Sequence, residues 1–224
     1  PYHGAKSLHL VIEALKLALA DRRATGGDPD FMAIDVEKMI SASHAGNLRS
    51  RINPAAATQV GSPVFAAGST THFAVVDAQG NMVNATQTIG ASFGCGEVVA
   101  GSGLFMNDRT WWMALDEGPN AVAPGHRANI GHAATLLVNA GRPFAALGSP
   151  GGFGIVQYVV QVIVNMLDYG LDIQSAIEAP RFKMESLNGR VGLEARFDRA
   201  TRDQLAAMGH GVFDFPHWTD RVGG

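Results

Sequence analysis

The chain has 224 residues, 46% of them hydrophobic and 17% charged, and a formal net charge of −3. That composition supports a buried core, and the lack of any basic or acidic run argues against a nucleic-acid partner and against an anionic membrane surface. A single cysteine, Cys95, excludes an intramolecular disulfide framework and a CxxC metal site, leaves the compartment open, and reads between its glycines as a small buried residue rather than a nucleophile.

In chain order, residues 7–23 place Leu8, Val11, Ile12, Leu15 and Leu19 on one helical face. A second helix is predicted from Val36 to about Arg51, with Asp35 as its N-cap. Residues 53–69, rich in Ala, Gly, Pro and Ser, have no period and read as a linker. The pattern then changes: residues 71–76 form a strand, Asp77 to Asn81 a turn, and residues 82–87 the returning strand of a hairpin. A second hairpin is predicted at 136–138 and 144–147, turning at Asn139-Ala140-Gly141. Residues 155–167 are apolar except for Gln157, Gln161 and Asn165, which are spaced four apart in a narrow polar stripe, so that helix is buried on most of its circumference and is too short to cross a bilayer. Further helices are expected at 172–179 and 198–208, the latter ending at Gly209. Hairpins covered by helices indicate a layered α+β architecture. The sequence starts without methionine at Pro1-Tyr2-His3 and stops at Val222-Gly223-Gly224, which reads as a piece of a longer precursor.

Nucleotide-binding glycine motifs, HExxH and the GxSxG elbow are all missing, and the eight scattered histidines suggest no metal site. What remains is the junction Gly68-Ser69-Thr70-Thr71-His72-Phe73. A threonine hydroxyl needs a base to become a nucleophile. Were the bond before Thr70 cut, the freed α-amine, titrating at about 7.7–8.0, would supply that base from the same residue. The small Gly68 and Ser69 would let the hydroxyl reach the preceding carbonyl. Taken alone, a Thr-Thr pair at a strand start is equally the product of β-propensity.

The surrounding segments resemble those of the gamma-glutamyltransferase family. The junction with Val75-Val76-Asp77 and Gly80-Asn81 is similar to that family's cleavage site and first small-subunit hairpin. Phe93-Gly94, Gly96, Gly101 and Gly103 resemble its glycine-rich turn, and Gly148-Ser149-Pro150-Gly151-Gly152 its oxyanion loop. Asn165, Asp168-Tyr169-Gly170 and Ala179-Pro180-Arg181-Phe182 match the helix and loop downstream of that oxyanion loop. Upstream, His9, Glu13-Ala14, Ala20-Asp21-Arg22 and Gly27-Asp28-Pro29-Asp30-Phe31 resemble the end of the large subunit.

The resemblance implies a four-layer αββα sandwich of the N-terminal-nucleophile hydrolase type, partly covered by this chain. Residues 1–69 would close the large subunit and 70–224 open the small one, with its final strands absent. Thr70 would be the processing residue and nucleophile, Thr88 the hydroxyl that supports it, and the Gly151 and Gly152 amides the oxyanion hole, one such donor being worth about 2.7–4 kcal/mol in a transition state. No cofactor or metal is implied. The partners implied are a small-molecule amide, water or an amine acceptor, and the remainder of the large subunit. The chain alone is expected to be inactive or poorly folded, for want of partners at its sheet edges and one apolar face.

Three positions depart from the family pattern. Gly90 stands where an asparagine is expected after the supporting threonine. Arg109 and Trp112, in Asn107-Asp108-Arg109-Thr110-Trp111-Trp112, fill the positions that would hold a substrate ammonium. Ile130-Gly131 replaces a serine pair. A guanidinium repels an ammonium but pairs with a planar carboxylate. The pattern is therefore similar to the divergent branch where oxamate amidohydrolase belongs, with Arg109 either a carboxylate holder or a structural arginine. Residues 116–127 read as a pocket edge or a plain surface loop, and Trp111 and Trp112 as pocket lining or core. An orthodox gamma-glutamyltransferase or glutathione hydrolase is the alternative enzyme, and an uncleaved, silent scaffold the alternative of another class.

Overall fold

A computed structural model describes residues 2–59, 69–185, 187 and 190–218. Linker residues 60–68, with Gly68 of the expected cleavage junction, lie outside the described residues, as do residues 1 and 219–224. The chain forms two compact units; the first draws on residues 2–59, 110–129 and 182–218, the second on 69–109 and 130–181. The unit boundary is a matter of packing and the expected subunit boundary a matter of one peptide bond, so the two divisions are independent. Among the described residues no helix is long and apolar enough to cross a membrane.

In the first unit, α1 (Ala5–Thr25) packs against α6 (Arg199–Ala207). The buried arc of α1 includes Leu8, Ile12, Leu15 and Leu19, as the spacing predicts, and also His9, Glu13 and Lys16, each 0% exposed. Burial on that scale demands partners. Lys16 Nζ donates to Glu13 Oε1 at 2.7 Å and to the Thr58 carbonyl at 3.3 Å, while Thr58 N donates to Glu13 Oε2 at 2.9 Å. Burial pushes the Glu13 carboxyl up, and the hydrogen bonds from Lys16 and Thr58 more than offset it, so its pKa lies below the usual value. His9 Nε2 lies 2.8 Å from the Asn53 carbonyl, which can only accept, so His9 carries its proton on Nε2. His9 Nδ1 must then accept from His210 Nε2, 2.8 Å away. His9, Glu13 and His210 come close enough together to suggest a metal cluster, but their facing atoms are already spent on one another, on Lys16 and on backbone.

The predicted helix over 36–51 is two helices, α2 (Val36–Met39) and α3 (Ala42–Arg49). Asp35 caps the first as expected, accepting from Lys38 N at 2.9 Å. Ser41 breaks the run: its backbone is extended (φ −71°, ψ 148°) and its hydroxyl accepts from His44 N at 3.2 Å, capping the second. A three-stranded sheet, unforeseen in the sequence, completes this unit, with β5 (Phe182–Met184) antiparallel to β6 (Arg190–Glu194) and β6 parallel to β7 (Gly211–Phe215) through α6.

In the second unit, β1 (Ser69–Val76) pairs antiparallel with β2 (Met82–Gly90), and β3 (Thr135–Asn139) with β4 (Arg142–Leu147). The turn Ala140-Gly141, with φ of +48° and +76°, has the left-handed twist a two-residue hairpin loop needs. Helix α4 (Gly154–Leu167) and α5 (Ile173–Glu178) pack with this hairpin, Val159, Val162 and Ala176 meeting Leu147. The polar stripe of α4 is buried rather than wet: Gln157, Gln161 and Asn165 are at most 7% exposed, and their side-chain amides donate to the carbonyls of Phe153, Gln157 and Ala176.

The buried histidine pair makes stability depend on pH. Burial, then the charge of Lys16, lowers the His210 pKa from 6.5 to about 4, and its buried Nδ1 has no hydrogen-bond partner among the described residues. Between those values the unfolded chain binds more protons than the folded one, so the neutral form's contribution is whole above about pH 6.5 and is lost as pH falls toward 4. Thermal melts of the full-length protein should therefore lose stability across that window, and His210→Gln should flatten the loss. Equal slopes in the two proteins would contradict this.

Candidate active site

The β1–β2 register places Thr70, Thr88 and Gly90. The Asp77 carboxylate accepts from Gln79 N at 2.9 Å, from Asn81 N at 2.8 Å and from Asn81 Nδ2 at 2.7 Å, with Gly80 at φ +84°. This closed turn sets Val76 opposite Met82 and, six residues up the strand, Thr70 opposite Thr88. Between Ser69 and Thr70 the register slips: Ser69 pairs with Gly90, leaving Ile89 unmatched. A bulge re-aims the side chains beside it, and this one falls on the peptide bond expected to be cut. Thr70, Thr88, Ser92 and Phe93 line a cleft of about 480 Å³. Thr88 Oγ1 accepts from Gly90 N at 3.0 Å. Phe93 holds φ +65°, a conformation costly for a side-chain-bearing residue and concentrated at functional sites.

Gly90, at φ +96°, is pressed against Asp108: a Cβ there would lie 1.5 Å from Asp108 Oδ1. The Asp108 carboxylate accepts from Ala91 N at 3.1 and 3.2 Å, and Asp108 N donates to the Ile89 carbonyl at 3.0 Å. The 107–109 segment is thus docked on the end of β2, and Asp108 occupies the space that a larger residue at 90 would need. The sequence alone gives Asp108 no such role; the signal was an acid paired with a glycine where the family keeps a side chain.

Residues alternate faces along β1, so Thr70, His72 and Ala74 share one side with Thr88, Thr86 and Asn84. Asn84 Nδ2 donates to the carbonyls of Thr135 and Leu147, both at 2.8 Å, and so fastens β2 to the second hairpin just ahead of Gly148. The His72 ring lies against Gly148, where a Cβ would come within 2.0 Å of its Cε1. The adjoining turn puts Gly151 at φ +124° and Gly152 at φ +60° before α4 begins. Both are buried, and both hold backbone conformations suited to glycine.

Arg109 belongs to the second unit with Thr70, whereas Trp112 belongs to the first. The Arg109 Nε and Nη2 are shut off from solvent. Burial lowers the pKa of its guanidinium and Asp108 partly offsets that; His132, lowered first by burial and then by Arg109, lies within its field. The loop through 116–127 is pinned within the first unit: Arg127 pairs with Asp28 at 2.8 Å and Asp30 at 2.6 Å, and Asn120 Nδ2 donates to the Trp112 carbonyl at 2.8 Å. Arg127 holds the Asp28 carboxyl well below the usual carboxylate range. Cys95, expected to be buried, is exposed, between Gly94 and Gly96, which hold φ of +57° and +82°.

A sequence model of the family described as Gamma-glutamyltranspeptidase matches residues 1–223. The chain belongs to the gamma-glutamyltranspeptidase family. It is 35% identical over 220 residues to an acylase ACY 1 proenzyme of Pseudomonas sp. (strain SE83), covering 96% of this chain and 39% of that protein. It is 31% identical over 228 residues to the glutathione hydrolase proenzyme of Escherichia coli (strain K12), covering 94% and 39%. Among solved structures it resembles a cephalosporin acylase from Bacillus halodurans at 30% identity and a TM-score of 0.80, covering 94% of this chain and 38% of that one. It shares the α+β fold of that structure and spans about two fifths of the length of these curated relatives.

The Gly90–Asp108 contact is directly testable. Gly90→Ala should destabilise the full-length protein by about 1–3 kcal/mol from backbone strain alone, with the clash on top, and Asp108→Ala in the same chain should recover only the clash. An unchanged melting temperature for Gly90→Ala would show that the close approach is not real.

Proposed function

We propose that the protein is a self-processing N-terminal-threonine amidohydrolase or acyltransferase. The observation that carries this reading is the bulge at Ser69–Thr70, beside a cleft that Thr70 and Thr88 both line. In processing, Thr70 Oγ attacks the Ser69 carbonyl carbon, the C–N bond breaks with the proton passing to nitrogen so that the peptide becomes an ester and the Thr70 amine is freed, and water then cleaves the ester to a Ser69 carboxylate and the Thr70 hydroxyl. Residues 1–69 then end the large subunit and 70 onward begins the small one. The proenzyme names of the relatives and the small residues before Thr70 support that sequence of events.

In turnover, the hydroxyl of Thr70 attacks a substrate amide carbonyl and its proton passes to the α-amine, which is basic near neutral pH. The Gly151 and Gly152 amides stabilise the oxyanion, and the Thr88 hydroxyl orients the nucleophile. Collapse expels the amine, which takes the proton, and leaves an acyl ester on Thr70. Water or an acceptor amine attacks that ester and frees the acyl group. On the substrate side, Arg109 pairs with a carboxylate, and Gly90 with Asp108 replaces the side chain that would have met a γ-glutamyl group. The substrate class is therefore a small acyl amide bearing a carboxylate, oxamate being the simplest.

Two measurements on the full-length protein test this. Intact mass should show two chains for the wild type and one for Thr70→Ala; an active wild type that stays in one piece ends the processing scheme, and an inactive one in one piece favours a silent scaffold. Turnover should favour oxamate or a similar acyl amide over a γ-glutamyl anilide or glutathione by at least tenfold, and Arg109→Met should raise KM for the carboxylate-bearing substrate. A preference for glutathione would make this an orthodox glutathione hydrolase.

A further inference from the structure

The two parts of the proposed mechanism, the nucleophile on β1 and the glycine turn before α4, are far apart in sequence and must be held in a fixed relation. His72 links them. Two residues from Thr70 and on the same side of the strand, it brings Nδ1 to 3.0 Å from Thr86 Oγ1, on the residue directly opposite in the register. The ring's flat side faces Gly148: a Cβ built there would lie 2.0, 2.1 and 2.6 Å from Cε1, Nδ1 and Nε2. Three ring atoms so near the place a Cβ would take leave room for glycine alone.

We infer that His72 is a positioning residue, whose imidazole, fixed in rotation by the Thr86 hydroxyl, seats the Gly148–Gly152 turn at a set distance from Thr70. This rests on the mechanism proposed above but adds to it, because His72 touches neither the reacting atoms nor the substrate. Burial lowers the His72 pKa, so the ring is the neutral form that a contact with a backbone suits. An oxyanion donor acts only when charge develops, so a displaced turn weakens the transition state and leaves ground-state binding alone; a shift of about 1 Å can cost about 100-fold in rate.

The test uses the full-length precursor. His72→Asn keeps a polar atom near the Nδ1 position and removes the outer part of the ring. His72→Phe keeps a ring and removes the hydrogen bond, and Thr86→Val removes the hydroxyl at nearly constant volume. His72→Asn and His72→Phe should lower kcat about 10- to 100-fold with KM changed less than about twofold, and Thr86→Val should fall between them and the wild type. Gly148→Ala should lower kcat similarly, and the double variant Gly148→Ala/His72→Ala should be no worse than His72→Ala alone, since the methyl then occupies vacated space. Normal kcat in all three single variants at the hairpin, or an additive double variant, overturns the inference. If the substitutions lower only the melting temperature, with kcat preserved in the folded fraction, His72 is structural and the inference likewise fails. Thr70→Ala, run in parallel, separates the two levels: residual processing and turnover in it would defeat the mechanism, whereas a dead Thr70→Ala beside normal His72 variants would defeat only the seat.

Discussion

Everything in the second unit depends on one register. Three N–H donors converge on the Asp77 carboxylate and close the β1–β2 turn, so that Thr70 meets Thr88, His72 meets Thr86 and Ala74 meets Asn84. Side chains alternate with period two, so a slip of one residue would send the three on the slipped strand to the opposite face from their partners. That face carries Phe73, Val75 and Val83, each at least 43% exposed. The polar face must point toward the second hairpin, because Asn84 has two carbonyls to satisfy there. A turn, a strand alternation and one amide thus place Thr70, Thr88 and the Gly151–Gly152 turn within a single unit, without long-range electrostatics.

In the first unit, helix α1 buries charge instead of avoiding it. Lys16 and Glu13 are 0% exposed and satisfy each other and the Thr58 backbone. A buried pair of this kind is a weak source of net stability, since desolvation takes back much of the Coulombic gain, yet losing one partner strands the other. Its value is directional: the donors and acceptors on α1 dictate where residues 53–58 run, and Ala57 N adds a 2.7 Å bond to the Met208 carbonyl. The stretch leading toward Thr70 is therefore held in place as far as residue 58.

The hairpins were legible because their turns are chemical statements: an acid followed by Gly80 and Asn81, and Gly141 after Ala140. Helix α1 was legible from apolar spacing, α4 from its apolar run with one polar stripe, and α6 from the glycine that ends it, Gly209. Three features were not. Ser41 sits inside an otherwise helical stretch, and its preference for capping over propagation depends on an extended backbone that composition does not announce. The polar stripe on α4 was visible as a spacing, but not that its amides turn back on carbonyls at the start of the same helix, within it and in α5. Strands β5 to β7 have three to five residues each, carry charges at Lys183, Arg190, Glu194 and Asp214, and pair across a helix, so their stability comes from non-local contacts invisible to a local window. Within the site, Thr70, Thr88, Gly90, Gly151 and Gly152 came from motif resemblance. His72, Asn84 and Asp108 came from coordinates, because their importance lies in which backbone atoms they touch.

The His9–His210 hydrogen bond and the α1–α6 packing join the segment before Thr70 to the segment after it. Scission at residue 69 would turn those intramolecular contacts into an interface between two molecules, and mass action would then govern what had been a matter of folding. Dilution would begin to matter, the loop entropy that the intact linker had suppressed would be returned, and the pair would stay assembled only as long as buried imidazoles and helix faces hold without a covalent tie.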